Sequence, residues 1–271
     1  MSPCKRAFLA AFLTVALSPD PAAACGPDSD CLIGTRSYRI RMPDGVAKEP
    51  VPALIFAHGY KGTAATVIGN ARLTRLAGDL GVALIAPQAV GQDWSIANAP
   101  SPDRMADIDE PAYFDAVIAD ATQRLPIDPD RIVAAGFSSG GMMVWTLACE
   151  RGDRYAGFIA LSGTFWDPVP DTCPSPAASL IHIHGTADRV VPPGGRPIKD
   201  ARQGDVAAAL STYARHGRYG PPHSHEMAGL TCRIRRNDAG TTLGSCQFEG
   251  GHSFDTAHIA AAWQLLMASG R

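Results

Sequence analysis

Ile132-Val133-Ala134-Ala135-Gly136-Phe137-Ser138-Ser139-Gly140-Gly141-Met142 is the stretch from which the rest of the chain can be read. Four apolar residues run without a polar break, a serine between glycines follows, and a helical pattern starts at Met142. An unbroken apolar run of this length reads as a strand covered on both faces, and a strand passing directly into a helix is the unit of a parallel sheet. Similar runs recur at 53–57, 82–86, 158–161 and 180–183, with helical stretches at 64–78, 111–124, 142–150, 205–216 and 256–267. This alternation predicts an α/β fold: a mainly parallel central sheet, helices on both faces, and functional loops at the carboxyl ends of the strands. Ahead of it, Tyr38, Ile40 and Met42 alternate with Arg39 and Arg41 as a half-buried strand. Loops 91–109 and 188–204 are expected to border the site.

The central motif is Gly-x-Ser-x-Gly. A tight strand-to-helix turn strains the serine backbone and lifts its hydroxyl above the sheet, while side chains at either glycine would collide with neighbouring elements. Phe137 stands where Ser139 would need its first glycine, so Ser138 is the candidate nucleophile. A serine hydroxyl needs a base, normally histidine, held in the right tautomer by a carboxylate. Asp188 follows the 180–183 run in His184-Gly185-Thr186-Ala187-Asp188, and His252 sits in Glu249-Gly250-Gly251-His252 ahead of the last helix. Asp167 and Asp200 are the competing carboxylates and His258 the competing base. The order Ser138, Asp188, His252 is that of the α/β-hydrolase fold and excludes the chymotrypsin and subtilisin orders.

Two backbone amides are needed for the oxyanion: one from Ser139, the other from Ala57-His58-Gly59-Tyr60, where Tyr60 is the candidate and Lys61 the alternative. His58, Trp94, Trp166 and Phe254 are the candidate substrate-lining residues. Trp145, Trp263 and His182 are expected in the core. His223-Ser224-His225-Glu226 reads as an exposed run rather than a metal tract, and no metal ligand set is expected.

His58-Gly59, Gly136-Phe137-Ser138-Ser139-Gly140-Gly141, His184-Gly185-Thr186-Ala187-Asp188 and Gly250-Gly251-His252 together resemble the secreted poly(3-hydroxybutyrate) depolymerase and feruloyl or acetylxylan esterase family of α/β-hydrolases. Asp128-Pro129-Asp130-Arg131, just before the nucleophile strand, looks like that family's usual lead-in. The resemblance implies carboxylic ester hydrolysis through an acyl-enzyme, without metal or organic cofactor, with Ser138 as nucleophile, His252 as general acid and base and Asp188 as its orienter. It implies 3-hydroxyalkanoate esters as substrate, with phenolic or acetyl esters of plant polysaccharide as the alternative. Tyr60 stands where many members have a small residue or Cys, and Ser253-Phe254 where many have Trp. A catalytically silent, hydrolase-like binding protein is the competing class, and it requires the three side chains to lie out of reach of one another.

The chain has 271 residues, 46% of them hydrophobic and 18% charged, with a formal net charge of -2, which excludes a disordered segment. This near-neutral balance gives no electrostatic footprint for nucleic acid or an anionic membrane, which would need clustered Lys and Arg, so neither is an expected partner. Lys5 and Arg6, the apolar run 7–17 and Ala22-Ala23-Ala24 read as a signal peptide over 1–24, leaving 25–271 as a single catalytic domain, exported to a periplasm or beyond the cell and expected to be a monomer. A lipid anchor on Cys25 is the lesser alternative. Six cysteines remain after cleavage, and proximity suggests Cys25 with Cys31, Cys232 with Cys246 across a hairpin, and Cys149 with Cys173 by elimination. No later run is long and apolar enough to span a bilayer.

Overall fold

Ala53 to Ala57 is buried throughout, and its side chains alternate between two apolar layers. Leu54 and Phe56 join one cluster, and Ala53, Ile55 and Ala57 the other, as the two-residue period of a strand requires. The computed structural model describes residues 25–45, 49–100 and 107–268, so the expected signal peptide lies outside the described residues. Its strands are β1 (Cys31–Ile33), β2 (Arg36–Arg41), β3 (Val51–Ala57), β4 (Ala83–Pro87), β5 (Ile127–Phe137), β6 (Gly157–Leu161), β7 (Leu180–Gly185), β8 (Pro197–Ile198), β9 (Ala201–Arg202), β10 (His223–Met227), β11 (Leu230–Arg236) and β12 (Thr242–Phe248). Its helices are α1 (Ala64–Ile68), α2 (Ala71–Leu80), α3 (Glu110–Arg124), α4 (Ser139–Glu150), α5 (Val206–His216) and α6 (Thr256–Ala268).

Ten strands form one sheet in the order β1-β2-β4-β3-β5-β6-β7-β12-β11-β10. The six from β4 to β12 are parallel, and antiparallel strands flank them at both edges. Buried residues of α1, α2 and α6 fill one face, and those of α3, α4 and α5 the other. From β3 the chain crosses to β4 on one side and returns to β5 on the other. The loops after β3 and β5 therefore open side by side at the carboxyl edge, where ligands bind in sheets of this kind.

The helix expected over 64–78 is two helices. Gly69 ends α1, and the Asn70 side chain caps α2 by accepting from the amides of Arg72 and Leu73, so a local hydrogen bond wins over continuation. Gly81, at φ 66°, closes α2 in the left-handed conformation that glycine tolerates. The three disulfides are Cys25–Cys31, Cys149–Cys173 and Cys232–Cys246. Cys232 and Cys246 stand directly opposite each other on β11 and β12.

Candidate active site

β5 ends at Phe137 and α4 begins at Ser139, which leaves Ser138 alone in the turn at φ 60° and ψ −121°. A non-glycine residue held there stores about 1–3 kcal/mol of strain. Its amide donates to the Leu161 carbonyl at 2.9 Å, and its carbonyl accepts from the Met142 amide at 3.0 Å. The turn closes only because its neighbours lack side chains: a Cβ on Gly136 would run into the Gly140 carbonyl, and one on Gly140 into the carbonyl of Ala57. Gly163, which the motif does not include, is packed equally hard against the Ser138 carbonyl.

The His252 ring bridges the other two side chains. Its Nε2 lies 2.9 Å from Ser138 Oγ and its Nδ1 lies 2.7 Å from Asp188 Oδ2. The Asp188 side chain is sealed from solvent, and its Oδ1 accepts from the amides of Val190 and Val191 at 2.8 and 2.9 Å. Burial alone would raise this carboxyl, but the hydrogen bonds from His252, Val191 and Val190 outweigh it and hold Asp188 below the ordinary aspartate value. Asp167 instead lies 3.3 Å from Arg202, and the His258 ring packs against Phe248. Phe137 lies with its ring centroid 4.7 Å from that of His252 and is backed by Phe254 at 5.0 Å.

Behind Asp188 runs a line of buried histidines. Indole N–H groups only donate, so Trp145 Nε1, 3.3 Å from His182 Nδ1, makes that nitrogen an acceptor. A neutral His182 then carries its proton on Nε2, 3.1 Å from His184 Nδ1, and His184 donates from Nε2 to the Val191 carbonyl at 2.7 Å. His184 Nε2 also lies 3.4 Å from Asp188 Oδ2. The turn that holds Asp188 is thereby tied to α4, the helix that begins beside the serine. His182 is in the core, as expected, but as a link in this line.

Burial is the largest influence on His58, His182 and His184, and it lowers all three below the ordinary histidine value, His182 furthest. Below about pH 6.5 the unfolded chain takes up protons on these residues that the folded chain does not, so stability must fall as pH drops. Each group contributes at most about 1.4 kcal/mol per pH unit. Thermal melts between pH 7.5 and 5 should show the midpoint falling steadily below pH 6.5. A flat midpoint across that range would contradict the buried neutral state of these rings.

Ser139 is the first residue of α4, and an amide at that position has no partner within its own helix. In the loop after β3 the Lys61 amide donates to the Gln92 carbonyl at 2.7 Å and the Gly62 amide to the Gly59 carbonyl at 2.8 Å, so Lys61 is already engaged and Tyr60 stays the candidate donor. His58 and Trp94 do not line a substrate surface but lie beneath this loop, 2% and 3% exposed. His58 Nε2 accepts from the Ala89 amide at 3.2 Å, and Trp94 Nε1 donates to the His58 carbonyl at 2.8 Å, so both rings act as pegs that hold the loop. Trp166 is buried in a small cluster with Met142, Val191 and Ala99, and Phe254 sits half-buried behind Phe137. Tyr60 is 58% exposed.

One polar partner has no signal in the motifs: Asp93, whose carboxylate accepts from the Ser139 hydroxyl and, at 2.8 Å, from the Trp94 amide. Burial raises its carboxyl above the ordinary value despite these bonds. His223 and His225 lie on β10 with exposed side chains, and among the described residues no group of three or more His, Cys, Asp or Glu is placed to hold a metal ion. Among the same residues no helix is long and apolar enough to cross a membrane.

Residues 46–196, which take in both Ser138 and Asp188, match the phospholipase/carboxylesterase family. A protein named as an esterase, NocK from Nocardia uniformis subsp. tsuyamanensis, is 33% identical over 163 residues, covering 58% of this chain and 46% of its own length. Feruloyl esterase C of Emericella nidulans is 25% identical over 251 residues, 88% of this chain and 86% of that one. The chain spans about half the length of the first curated relatives it matches. Among solved structures, an acetyl xylan esterase from Aspergillus awamori superposes with a TM-score of 0.63 at 14% identity, over 86% of this chain and 94% of that one, a likeness of fold. With more than half of its length matched and the strand order, nucleophile turn and side-chain order described above, the chain belongs to the phospholipase/carboxylesterase family of α/β-hydrolases.

Proposed function

We propose that the protein is a serine carboxylic-ester hydrolase working through an acyl-enzyme, with residues 25–271 as one exported catalytic domain. The observation that carries this reading is the unbroken line from Asp188 through His252 to Ser138, at 2.7 and 2.9 Å. The Ser138 hydroxyl passes its proton to His252 Nε2 as Oγ bonds to the ester carbonyl carbon, and the amides of Ser139 and Tyr60 hold the oxyanion. His252 gives the proton to the departing alcohol, and water then repeats the cycle on the acyl-enzyme. Asp188, favoured in its charged form, stabilises the imidazolium in both halves. The silent binding-protein reading loses its premise, because the three side chains are within reach.

Esters of phenolic or acetyl groups on plant polysaccharide are the preferred substrate, supported by relatives that are themselves named feruloyl esterases. Esters and oligomers of 3-hydroxyalkanoates are the second reading, favoured by the four motif segments that resemble the depolymerases. Export is supported by three disulfides, which persist in oxidising compartments. The purified protein should hydrolyse p-nitrophenyl esters from acetate upward and be labelled at Ser138 by a serine-directed phosphonate. Methyl ferulate set against 3-hydroxybutyrate oligomers separates the two substrate readings. A folded protein that neither turns over any of these nor takes the label would overturn the esterase assignment.

A further inference from the structure

Away from the triad, a groove of about 630 Å³ opens between α5 and strands β11 and β12. Four arginines line it: Arg215 in the last turn of α5, Arg218 just beyond it, and Arg233 and Arg235 on β11. The fold sets the pair at the end of α5 against the pair on β11, and no Asp or Glu lines the groove with them. Five arginines elsewhere are neutralised: Arg36, Arg39, Arg124, Arg131 and Arg151 each sit 2.6–2.8 Å from a carboxylate oxygen. Among the described residues the groove arginines have no such partner. Arg215 reaches the hydroxyls of Ser211 and Thr212, and Arg235 the Gly220 carbonyl. Glu226, diagonal to Arg233 across the β10–β11 ladder, accepts instead from the Thr231 hydroxyl at 3.2 Å.

Stability does not account for this arrangement. Arg215 gains from the helix terminus, but Arg218 lies past it. Arg233 and Arg235, two residues apart, project from the same face of β11 about 7 Å apart, where like charges repel. A ligand bearing spaced negative charges would relieve that repulsion, and guanidinium groups bind carboxylates through paired N–H donors. The floor between them is apolar and hydroxylic, with Leu210, Leu243, Ser211 and Ser245, and the volume is that of a small-ligand site.

We propose that this groove binds a carboxylate-bearing oligosaccharide segment, the acidic part of the polymer whose esters the triad cleaves. The link to cleavage rests on the esterase reading, whereas the binding itself does not. Nucleic acid fits less well: the chain as a whole is acidic, and the one aromatic side chain lining the groove, Tyr219, is only 8% exposed and offers no open face for stacking bases.

The test is isothermal titration of the intact protein with tetragalacturonate, neutral xylotetraose and a short single-stranded DNA. Tetragalacturonate should bind at low salt and weaken as salt rises, with xylotetraose silent and the DNA weaker. Arg218→Gln with Arg233→Gln should weaken tetragalacturonate binding at least tenfold without moving the thermal midpoint, since among the described residues neither side chain makes a hydrogen bond. If the double variant unfolds, Arg218→Gln alone should show a smaller loss. Absent binding, binding unchanged in the folded variants, or tighter binding of the DNA would overturn the proposal. Failure of the esterase reading would show separately, as no ester turnover by a protein that still binds tetragalacturonate.

Discussion

Replacing Ser138 by alanine is expected to lower kcat on p-nitrophenyl acetate by about 10⁵-fold, or about 7 kcal/mol of transition-state stabilisation, with the thermal midpoint almost unmoved. The large loss follows from the geometry: His252 Nε2 has the Ser138 hydroxyl at 2.9 Å and no other nucleophile against it. The small structural effect follows from the turn. Alanine keeps the Cβ, and what holds residue 138 at positive φ is the Leu161 carbonyl, the Met142 amide and the glycines packed around it, none of which involves Oγ. A residual rate above the uncatalysed reaction should survive, because the oxyanion amides remain. A folded variant retaining more than one hundredth of the parent kcat would show that the attacking group lies elsewhere.

Asp188→Asn should cost about 10⁴-fold at neutral pH, and the cause is a tautomer rather than a lost charge alone. Two amides, of Val190 and Val191, already point at one carboxylate oxygen. An asparagine must therefore set its carbonyl toward them and turn its NH₂ to His252 Nδ1. That nitrogen becomes an acceptor, the ring proton moves to Nε2, and the imidazole can no longer accept from Ser138. Measuring kcat/KM against pH, together with the proton resonances of the ring, separates this from simple unfolding. An asparagine variant within tenfold of the parent would sink the assignment of Asp188 as orienter.

Much of the fold was legible because buried parallel strands write themselves as unbroken apolar runs. The 132–135 and 180–183 runs each lie within a strand of the sheet, and Ser138, Asp188 and His252 converge from three separate strand ends. What stayed hidden depends on neighbours distant in sequence. Gly163 looks like any loop glycine until the Ser138 carbonyl is found against it, and Asp93 has no motif. His58 and Trp94 sit where substrate contacts were expected, but aromatic side chains on a loop serve equally well as pegs under it. The charge count was correct as a sum and silent about position: a near-neutral balance did not foretell four arginines meeting between the end of α5 and β11. The extent of β10 to β12 escaped because their half-exposed residues mix polar and apolar types, and only the paired cysteines marked a hairpin there.

The place of β12 in the sheet has a consequence for how the protein comes into being. Among the described residues it is the last strand in sequence order, yet it lies between β7 and the β10–β11 pair rather than at an edge. As the chain emerges from the ribosome, the segments that carry Ser138 and Asp188 can take shape long before His252 arrives. Until Thr242 to Phe248 has threaded into its slot, β10 and β11 have no sheet to join and Ser138 has no base. The line from Asp188 through His252 to Ser138 is therefore withheld until this strand and the loop after it are made, and a protein cut short ahead of Thr242 would lack that line and be unfinished along one whole flank.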